Sequence, residues 1–538
     1  MALLEIENLT FTYNAAHTNA LENISFSVGR GEFVCVCGPT GSGKTTLIRL
    51  LKREISPAGS YSGRILFDGQ DIRQIDERTA AAKIGYVCQK PEQQIVCDKV
   101  WHELAFGLEN LGLPNEAIRR RVSEMACYFG MEDMFDKRTD ELSGGQKQLL
   151  NLASVMIMQP DVLLLDEPTA QLDPIAAAEF ISTVHRLKTE LSLTVIMIEH
   201  RLEDALPLSD KVLALENGRL KLFGPARAAA AELAVSPAFR DALPSALRLW
   251  GRFDIKSEPP FTVGEGRAFI ESSFSNRVRA LTREAYSHSD APALEFKNVY
   301  FRYDRNGADA LKNLSFTVYE GEIFCILGGN GSGKSTCLSA ASALVKPYAG
   351  QIRVFGKKLK DYKNQTLYRN CLSLLPQDAQ TLFLHNTLRE ELDGVDTQDL
   401  PFDLTPYYSQ HPYDLSGGQQ QLAALAKVLD TKPRLLLLDE PTKGLDARAK
   451  HEFVRIIKAL RSHGVSVVCV THDVELACLM ADRCAMFFRG EAVSCAPAAG
   501  FFADSSFYTT AISRMTRGYY EGVSTLDEAE RICRLNVK

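Results

Sequence analysis

Short apolar runs alternate along this chain with longer stretches whose apolar residues recur at helical spacing. The runs "GEFVCVCG", "DVLLLD" and "SLTVIMIEH" are continuously apolar, as strands covered on both faces should be. Between and around them, "TLIRLLKR" and "QKQLLNLASVMI" read as helices. The same order returns later as "GEIFCILG", "PRLLLLD" and "GVSVVCVTH", with "QQQLAALAKVL" as the matching helix. Each half therefore predicts an α/β domain built on a largely parallel, buried sheet. One stretch, "CQKPEQQIVCDKVWHELAFG" (88–107), fits neither rhythm. It has too many glutamines for a core, and Ile95, Val96, Val100, Trp101, Leu104 and Phe106 are too many apolar residues for a plain loop.

The chain is written twice, and internal repeats decide its architecture. "LEIENLTFTY" returns as "LEFKNVYFRY", "ALENISFSV" as "ALKNLSFTV", and "GPTGSGKT" (38–45) as "GGNGSGKS" (328–335). "LSGGQ" and "LLLDEPT" each occur twice. The offset is 290 from Lys44 to Lys334 and 288 from Gln89 to Gln377, but 273 from Ser143 to Ser416. Copy two has thus lost 288 − 273 = 15 residues, within the part that reads as helical in copy one, Asn115 to Asp133. The expected division is a first domain over 1–232, an extension and linker over 233–292, a second domain over 293–500 and a tail over 501–538. Thr525, with Glu528 three residues on, predicts a capped helix near the end, and the tail aromatics are expected to pack on copy two.

With 538 residues, two or more hydrophobic cores are required. The net charge of −6 argues against a nucleic-acid coat, so no nucleic acid partner is expected. The thirteen cysteines include no CxxC pair. Cys35 and Cys37 alternate along an apparent strand and read as small buried residues, so reduced thiols and a cytosolic setting are expected. The opening "LLEIENLTFTY" reads as folded sequence rather than a signal peptide. No apolar run approaches the roughly 18–20 residues that span a bilayer. Any membrane role is therefore expected to be peripheral.

The glycine-rich octapeptides carry the first chemistry. Gly38, Pro39, Thr40, Gly41, Ser42, Gly43, Lys44 and Thr45, with Thr46 next, follow a strand and open a helix. Such a loop curls its N–H groups around phosphates, and the helix presents its positive end to the same anion. Lys44 would add a point charge to the β- and γ-phosphates and Thr45 a hydroxyl to Mg²⁺. Gly328, Gly329, Asn330, Gly331, Ser332, Gly333, Lys334, Ser335 and Thr336 repeat the arrangement. A carboxylate at the end of a buried strand needs a cation, so Asp166 and Asp439 are candidate Mg²⁺ ligands. Glu167 and Glu440 follow them as candidates to polarise an attacking water. Ser143 and Ser416 read as N-caps, with Gly144, Gly145 and Gln146, and Gly417, Gly418 and Gln419, forming a second anion-binding helix end.

Phosphate loop, LSGGQ and LLLDEPT, in this order and twice, resemble the ATP-binding cassette (ABC) ATPases over nearly the whole chain. The resemblance implies two P-loop NTPase cassettes of α/β fold in tandem, paired head to tail within one chain, with ATP and Mg²⁺ as cofactors. It implies that Tyr13 and Tyr303 stack on adenine, and that Gln89 and Gln377 sense Mg²⁺ and water as further metal ligands. It places His200 and His472 on the γ-phosphate, and Asp173 and Asp446 in the loop that crosses between sites. Each ATP would lie between one copy's phosphate loop and the other copy's LSGGQ. No key residue is missing from either copy, so two hydrolysing sites are expected. Leu149 and Leu422 stand where many relatives have arginine, a departure that touches helix salt bridges rather than the nucleotide.

The stretch after Gln89 resembles that of the energy-coupling factor importers, which take up vitamins and transition metals. In that group a short helix after the glutamine lines a groove for an integral membrane coupling subunit. A separate substrate-binding membrane component carries the solute, so this chain would not touch it. Ile95, Val96, Val100 and Trp101 would form an apolar floor with Glu92, Gln93 and Gln94 as rim, and Leu382, Phe383 and Leu388 would do the same in copy two. The implied place is the cytoplasmic face of the membrane. Two other readings remain: the double-cassette ATPase of sugar importers, often with one degraded site, and a cytosolic ribosome-associated ABC protein, which carries a long basic linker.

Overall fold

The computed structural model describes residues 2–14, 18–282, 286–363, 366–395, 397 and 400–537. The chain divides into two compact units, Met1–Gly251 and Arg252–Lys538.

In the first unit, five parallel strands and one antiparallel edge strand form a sheet. Its order is Arg219–Pro225, Lys211–Glu216, Phe33–Cys37, Thr194–Ile198, Val162–Asp166, Ile84–Val87. Three of these strands, Phe33–Cys37, Val162–Asp166 and Thr194–Ile198, are buried at every residue. That is why their sequences are continuously apolar. Cys35 and Cys37 lie in the first of them, where burial pushes the Cys37 thiol up to about 12. A second, antiparallel sheet (Leu21–Gly29, Ala2–Tyr13, Gly59–Phe67, Gln70–Asp71) closes a core that includes Leu4, Phe11, Val34, Ile48 and Ile196.

The second unit repeats both sheets with the same neighbours: Leu372–Leu375, Leu435–Asp439, Ser466–Val470, Ile323–Leu327, Arg483–Phe488 and Glu491–Pro497 in one sheet, and Leu311–Tyr319, Pro292–Phe301, Ala349–Val354 and Lys357–Lys358 in the other. The units differ where the sequence is shortened. The first has a 14-residue helix, Asn115–Tyr128, while the described residues of the second between Leu392 and Pro412 hold only the short 3₁₀ turn Thr405–Tyr407.

The stretch read as extension and linker holds helices Ser245–Trp250 and Val263–Ser273. The second of these lies in the same unit as the tail and packs on tail helix Ala511–Thr516. Phe274 packs edge-on against Phe253 and Phe269, and its carbonyl accepts from the Tyr519 hydroxyl at 2.6 Å. The last helix, Leu526–Leu535, is capped by Thr525 and Glu528 in a reciprocal box.

Candidate functional site

In each unit a strand runs into a glycine-rich loop and then a helix: Phe33–Cys37 into Lys44–Leu50, and Ile323–Leu327 into Lys334–Ala341. The loop closes tightly because its first glycine has no side chain. Gly38 sits at φ +153° and a Cβ there would lie 2.2 Å from the Leu215 carbonyl oxygen; at Gly328 the same atom would lie 2.5 Å from that of Phe487. Lys44 folds back over the loop, donating to the carbonyls of Gly38 and Pro39 at 2.8 and 2.9 Å. Lys334 does the same to Gly328 and Gly329. Among the described residues nothing hydrogen-bonds the buried hydroxyls of Ser42 and Ser332 in these loops. An orphaned buried hydroxyl beside a lysine and a helix N-terminus fits a phosphate group.

The acidic strand ends lie against the same loops. Thr45 Oγ1 donates to Asp166 Oδ1 at 3.1 Å, and Ser335 Oγ to Asp439 Oδ1 at 3.0 Å. Burial, and then the neighbouring glutamate's charge, raises both carboxyls, Asp439 to about 6. Adjacent buried acids that repel one another fit a divalent cation, with Thr45 and Asp166, or Ser335 and Asp439, as its protein ligands. Such a cation would neutralise phosphate charge during transfer.

Glu167 and Glu440 occupy the left-handed region, at φ +48° and +47°, where a non-glycine residue is strained. Both are held there by a backbone bond to the next strand, Glu167 N–H to Ile198 at 3.1 Å and Glu440 N–H to Val470 at 2.9 Å. The bend turns their carboxylates to His200 and His472. His200 Nε2 lies 2.7 Å from Glu167 Oε1, and His472 Nδ1 lies 2.9 Å from Glu440 Oε2. Gln89 Nε2 donates to Glu167 Oε2 at 2.6 Å. Among the described residues Gln377 makes no matching bond to Glu440, whose Oε2 accepts from the His472 N–H at 3.3 Å. A glutamate fixed between an amide and an imidazole is arranged to accept a proton from water.

Tyr13 and Tyr303 stand over the loop helices, their hydroxyls 2.8 Å from Thr46 Oγ1 and 3.1 Å from Thr336 Oγ1. Each ring packs edge-on against a core phenylalanine, Phe11 or Phe301, at 4.9 Å and leaves a face exposed. At each LSGGQ the serine caps the helix. Gln146 N–H donates to Ser143 Oγ at 3.3 Å and Ser143 N–H to Gln146 Oε1 at 2.9 Å, with Ser416 and Gln419 reciprocating alike. Gly144 and Gly145, like Gly417 and Gly418, form the first helical turn. Asp173 and Asp446 cap the helices Pro174–Leu191 and Ala447–Ser462.

Three groups go beyond what the motifs reveal. Glu199 is buried beside His200, its carboxylate accepting from Thr169 Oγ1 at 2.7 Å, and burial pushes it up to about 8. Tyr86 donates to Asp166 Oδ2 at 3.1 Å. Glu103, also buried, accepts from the N–H groups of Val96 and Cys97 at 2.9 and 2.7 Å. An acid within an apolar run ("VIMIEH") was the available signal for Glu199; Tyr86 acts across 80 residues, a distance no local pattern reports.

The stretch 88–107 is a short 3₁₀ turn, Pro91–Gln93, followed by helix Val100–Asn110. Gln94 ties it back, accepting from Cys88 N–H and donating to the Tyr86 carbonyl, both at 3.0 Å. From the LSGGQ helix, Gln148 donates to the Cys88 carbonyl at 3.3 Å and Asn151 to that of Pro91 at 3.1 Å. Val96 and Trp101 are exposed and Ile95 half-buried, but Val100 is fully buried and belongs to the core rather than an apolar floor. In copy two Phe383 and Leu388 are likewise buried, Leu382 is half-buried, and Leu384 is the residue left outside at 84 % exposure. At helical spacing one face of such a segment must pack inward, and apolarity alone does not say which.

The family model described as "ABC transporter" matches residues 21–170 and 311–443, once in each unit. A protein of Bacillus thuringiensis subsp. konkukian named as an ABC transporter ATP-binding protein is 36% identical over 546 residues, covering 99% of this chain and 98% of its own. One of the same description from Streptomyces coelicolor is 34% identical, over 95% of this chain and 97% of its own. The solved structure of cbiO1 from Clostridium perfringens, described as part of the ABC transporter complex cbiONQ, is 35% identical. It covers 43% of this chain and 91% of that one, with a TM-score of 0.40.

Proposed function

The chain belongs to the ABC transporter family as a two-cassette ATPase, and on that premise we propose that it is the ATP-hydrolysing subunit of a membrane importer of the energy-coupling factor type. The observation that carries this reading is the linkage of residues 88–107. Its exposed Val96 and Trp101, with Glu92 and Gln93 at the rim, form an apolar patch of the kind that docks a partner helix. Gln89, at its head, reaches Glu167, and Gln148 and Asn151 fasten it to the LSGGQ helix. A change at the nucleotide would thus be carried to the patch through hydrogen bonds rather than slack chain.

In this reading Lys44 and Lys334, with their loops, bind the phosphates of ATP, and Thr45, Gln89 and Asp166, or Ser335, Gln377 and Asp439, hold Mg²⁺. Glu167 and Glu440 take the proton of the attacking water while His200 and His472 contact the γ-phosphate. No helix among the described residues is long and apolar enough to cross a membrane. In this reading the coupling subunit and the substrate-binding component are separate membrane proteins. The chain sits at the cytoplasmic face and does not touch the solute. Tagged purification from detergent-solubilised membranes of the native host tests this. Small multi-helix membrane proteins recovered in stoichiometric amount are expected, and depleted when Val96 and Trp101 are both changed to Ser. Ribosomal proteins, or the chain alone, would overturn the importer reading.

A further inference from the structure

The two nucleotide sites hold their metal-side carboxylate differently. In the first unit both oxygens of Asp166 are engaged: Oδ1 accepts from Thr45 Oγ1 and Oδ2 from the Tyr86 hydroxyl, each at 3.1 Å. Tyr86 is placed by the sheet. It lies on strand Ile84–Val87, opposite Leu164, two residues before the aspartate on the adjoining strand. Arg49, in the last turn of the phosphate-loop helix, lies against the same phenol, and its charge also acts on Asp166.

The second unit has neither group. Leu374 lies opposite Leu437, two residues before Asp439, so the strand register puts it in the place of Tyr86. Ser339 stands where Arg49 does, five residues after the loop lysine, and its hydroxyl turns back to the Ser335 carbonyl at 2.9 Å. Asp439 is held at one oxygen, by Ser335. The charges of Lys334 and Lys443 act on it, but a charge at a distance does not fix the plane of a carboxylate. Gln89 bonds Glu167 at 2.6 Å while among the described residues Gln377 makes no such bond to Glu440, so the difference extends to the glutamine beside each glutamate.

We propose that Tyr86, backed by Arg49, is a positioning residue for Asp166, and that the two ATP sites are therefore inequivalent, the first copy binding its divalent ion more tightly than the second. The reason is pre-organisation. A carboxylate anchored at its outer oxygen offers the inner one in a single orientation, and folding has already met the entropy of fixing it. Removing such an outer partner from a ligand typically weakens metal binding by about 10–100-fold. The inference rests on the ATPase assignment and is independent of the importer class.

The test uses the full chain carrying Glu167→Gln and Glu440→Gln, so that ATP persists, with Mn²⁺ as the probe, titrated by electron paramagnetic resonance in the presence of ATP. Two classes of ATP-dependent Mn²⁺ site are expected, about tenfold or more apart. Adding Tyr86→Phe, which keeps the ring and removes only the hydroxyl, should bring the tight class down to the weak one and leave the weak class in place. Arg49→Ser, which installs the second copy's residue, should lower the same class by a smaller factor. A single class in the parent, or two classes unmoved by Tyr86→Phe, would overturn the inference. So would an equal loss in both classes, the mark of a general structural effect. If no Mn²⁺ bound in an ATP-dependent way, the nucleotide-site assignment itself would fall, an outcome distinct from the other three.

Discussion

Glu199→Gln tests how the first unit tolerates a buried acid next to His200. An ordinary glutamate titrates near 4.5, whereas Glu199 titrates at about 8, chiefly because burial removes the carboxylate from water and secondarily because Glu167 lies near. Below the lower value folded and unfolded chains both hold the proton and the residue is neutral to stability. Between the two values the unfolded chain has released it and the folded chain has not, so stability falls as pH rises. Each pH unit in that window changes the folded-to-unfolded ratio about tenfold, and the whole window amounts to roughly 5 kcal/mol. Glutamine keeps an oxygen to accept from Thr169 Oγ1 and the Thr169 N–H, which now bond Glu199 at 2.7 and 3.3 Å, but it never ionises. The variant should therefore match the parent near pH 5 and exceed it near pH 8 by several kcal/mol, on the order set by that window. Both tryptophans, Trp101 and Trp250, lie in the first unit, so urea unfolding followed by tryptophan fluorescence reports on that unit selectively. Parallel pH curves for variant and parent, with a constant gap, would refute the reasoning.

Two further outcomes follow from single contacts. Glu103→Ala leaves the N–H groups of Val96 and Cys97 without the acceptor that holds both, and with Val96 exposed and Cys97 half-buried the first unit should lose about 1–3 kcal/mol in the same fluorescence assay, each lost hydrogen bond being worth about 0.5–1.5 kcal/mol net. Gly38→Ala places a methyl 2.2 Å from the Leu215 carbonyl oxygen, so the loop must shift, and ATP affinity at the first site should fall about tenfold or more by calorimetric titration of a Glu167→Gln, Lys334→Ala background.

The motifs made the site legible because each has a local physical cause. A strand that must bury both faces, a loop that must curl and a helix that must be capped are written in adjacent residues, and Lys44, Asp166, Ser143 and their counterparts lie where those patterns put them. What stayed hidden depends on packing across the sheet. Tyr86 reaches Asp166 from 80 residues away, through a strand register that period and composition do not carry. Val100 and Trp101 are neighbours of similar apolarity, yet one is core and the other exposed, because the helix face that packs inward is chosen by what it meets. The missing bond between Gln377 and Glu440 is likewise invisible in a motif that is intact by letter.

The central claim is that both copies contain a complete hydrolytic site, and steady-state ATP hydrolysis by the full chain with Glu167→Gln, Glu440→Gln and both together tests it most directly. Loss of a positioned general base lowers a rate by about 10²–10⁴-fold, so each single variant should be clearly slower than the parent and the double variant slower by about 100-fold or more. Full activity in either single variant would mean that the substituted site does not turn over, and the claim of two working sites would be wrong.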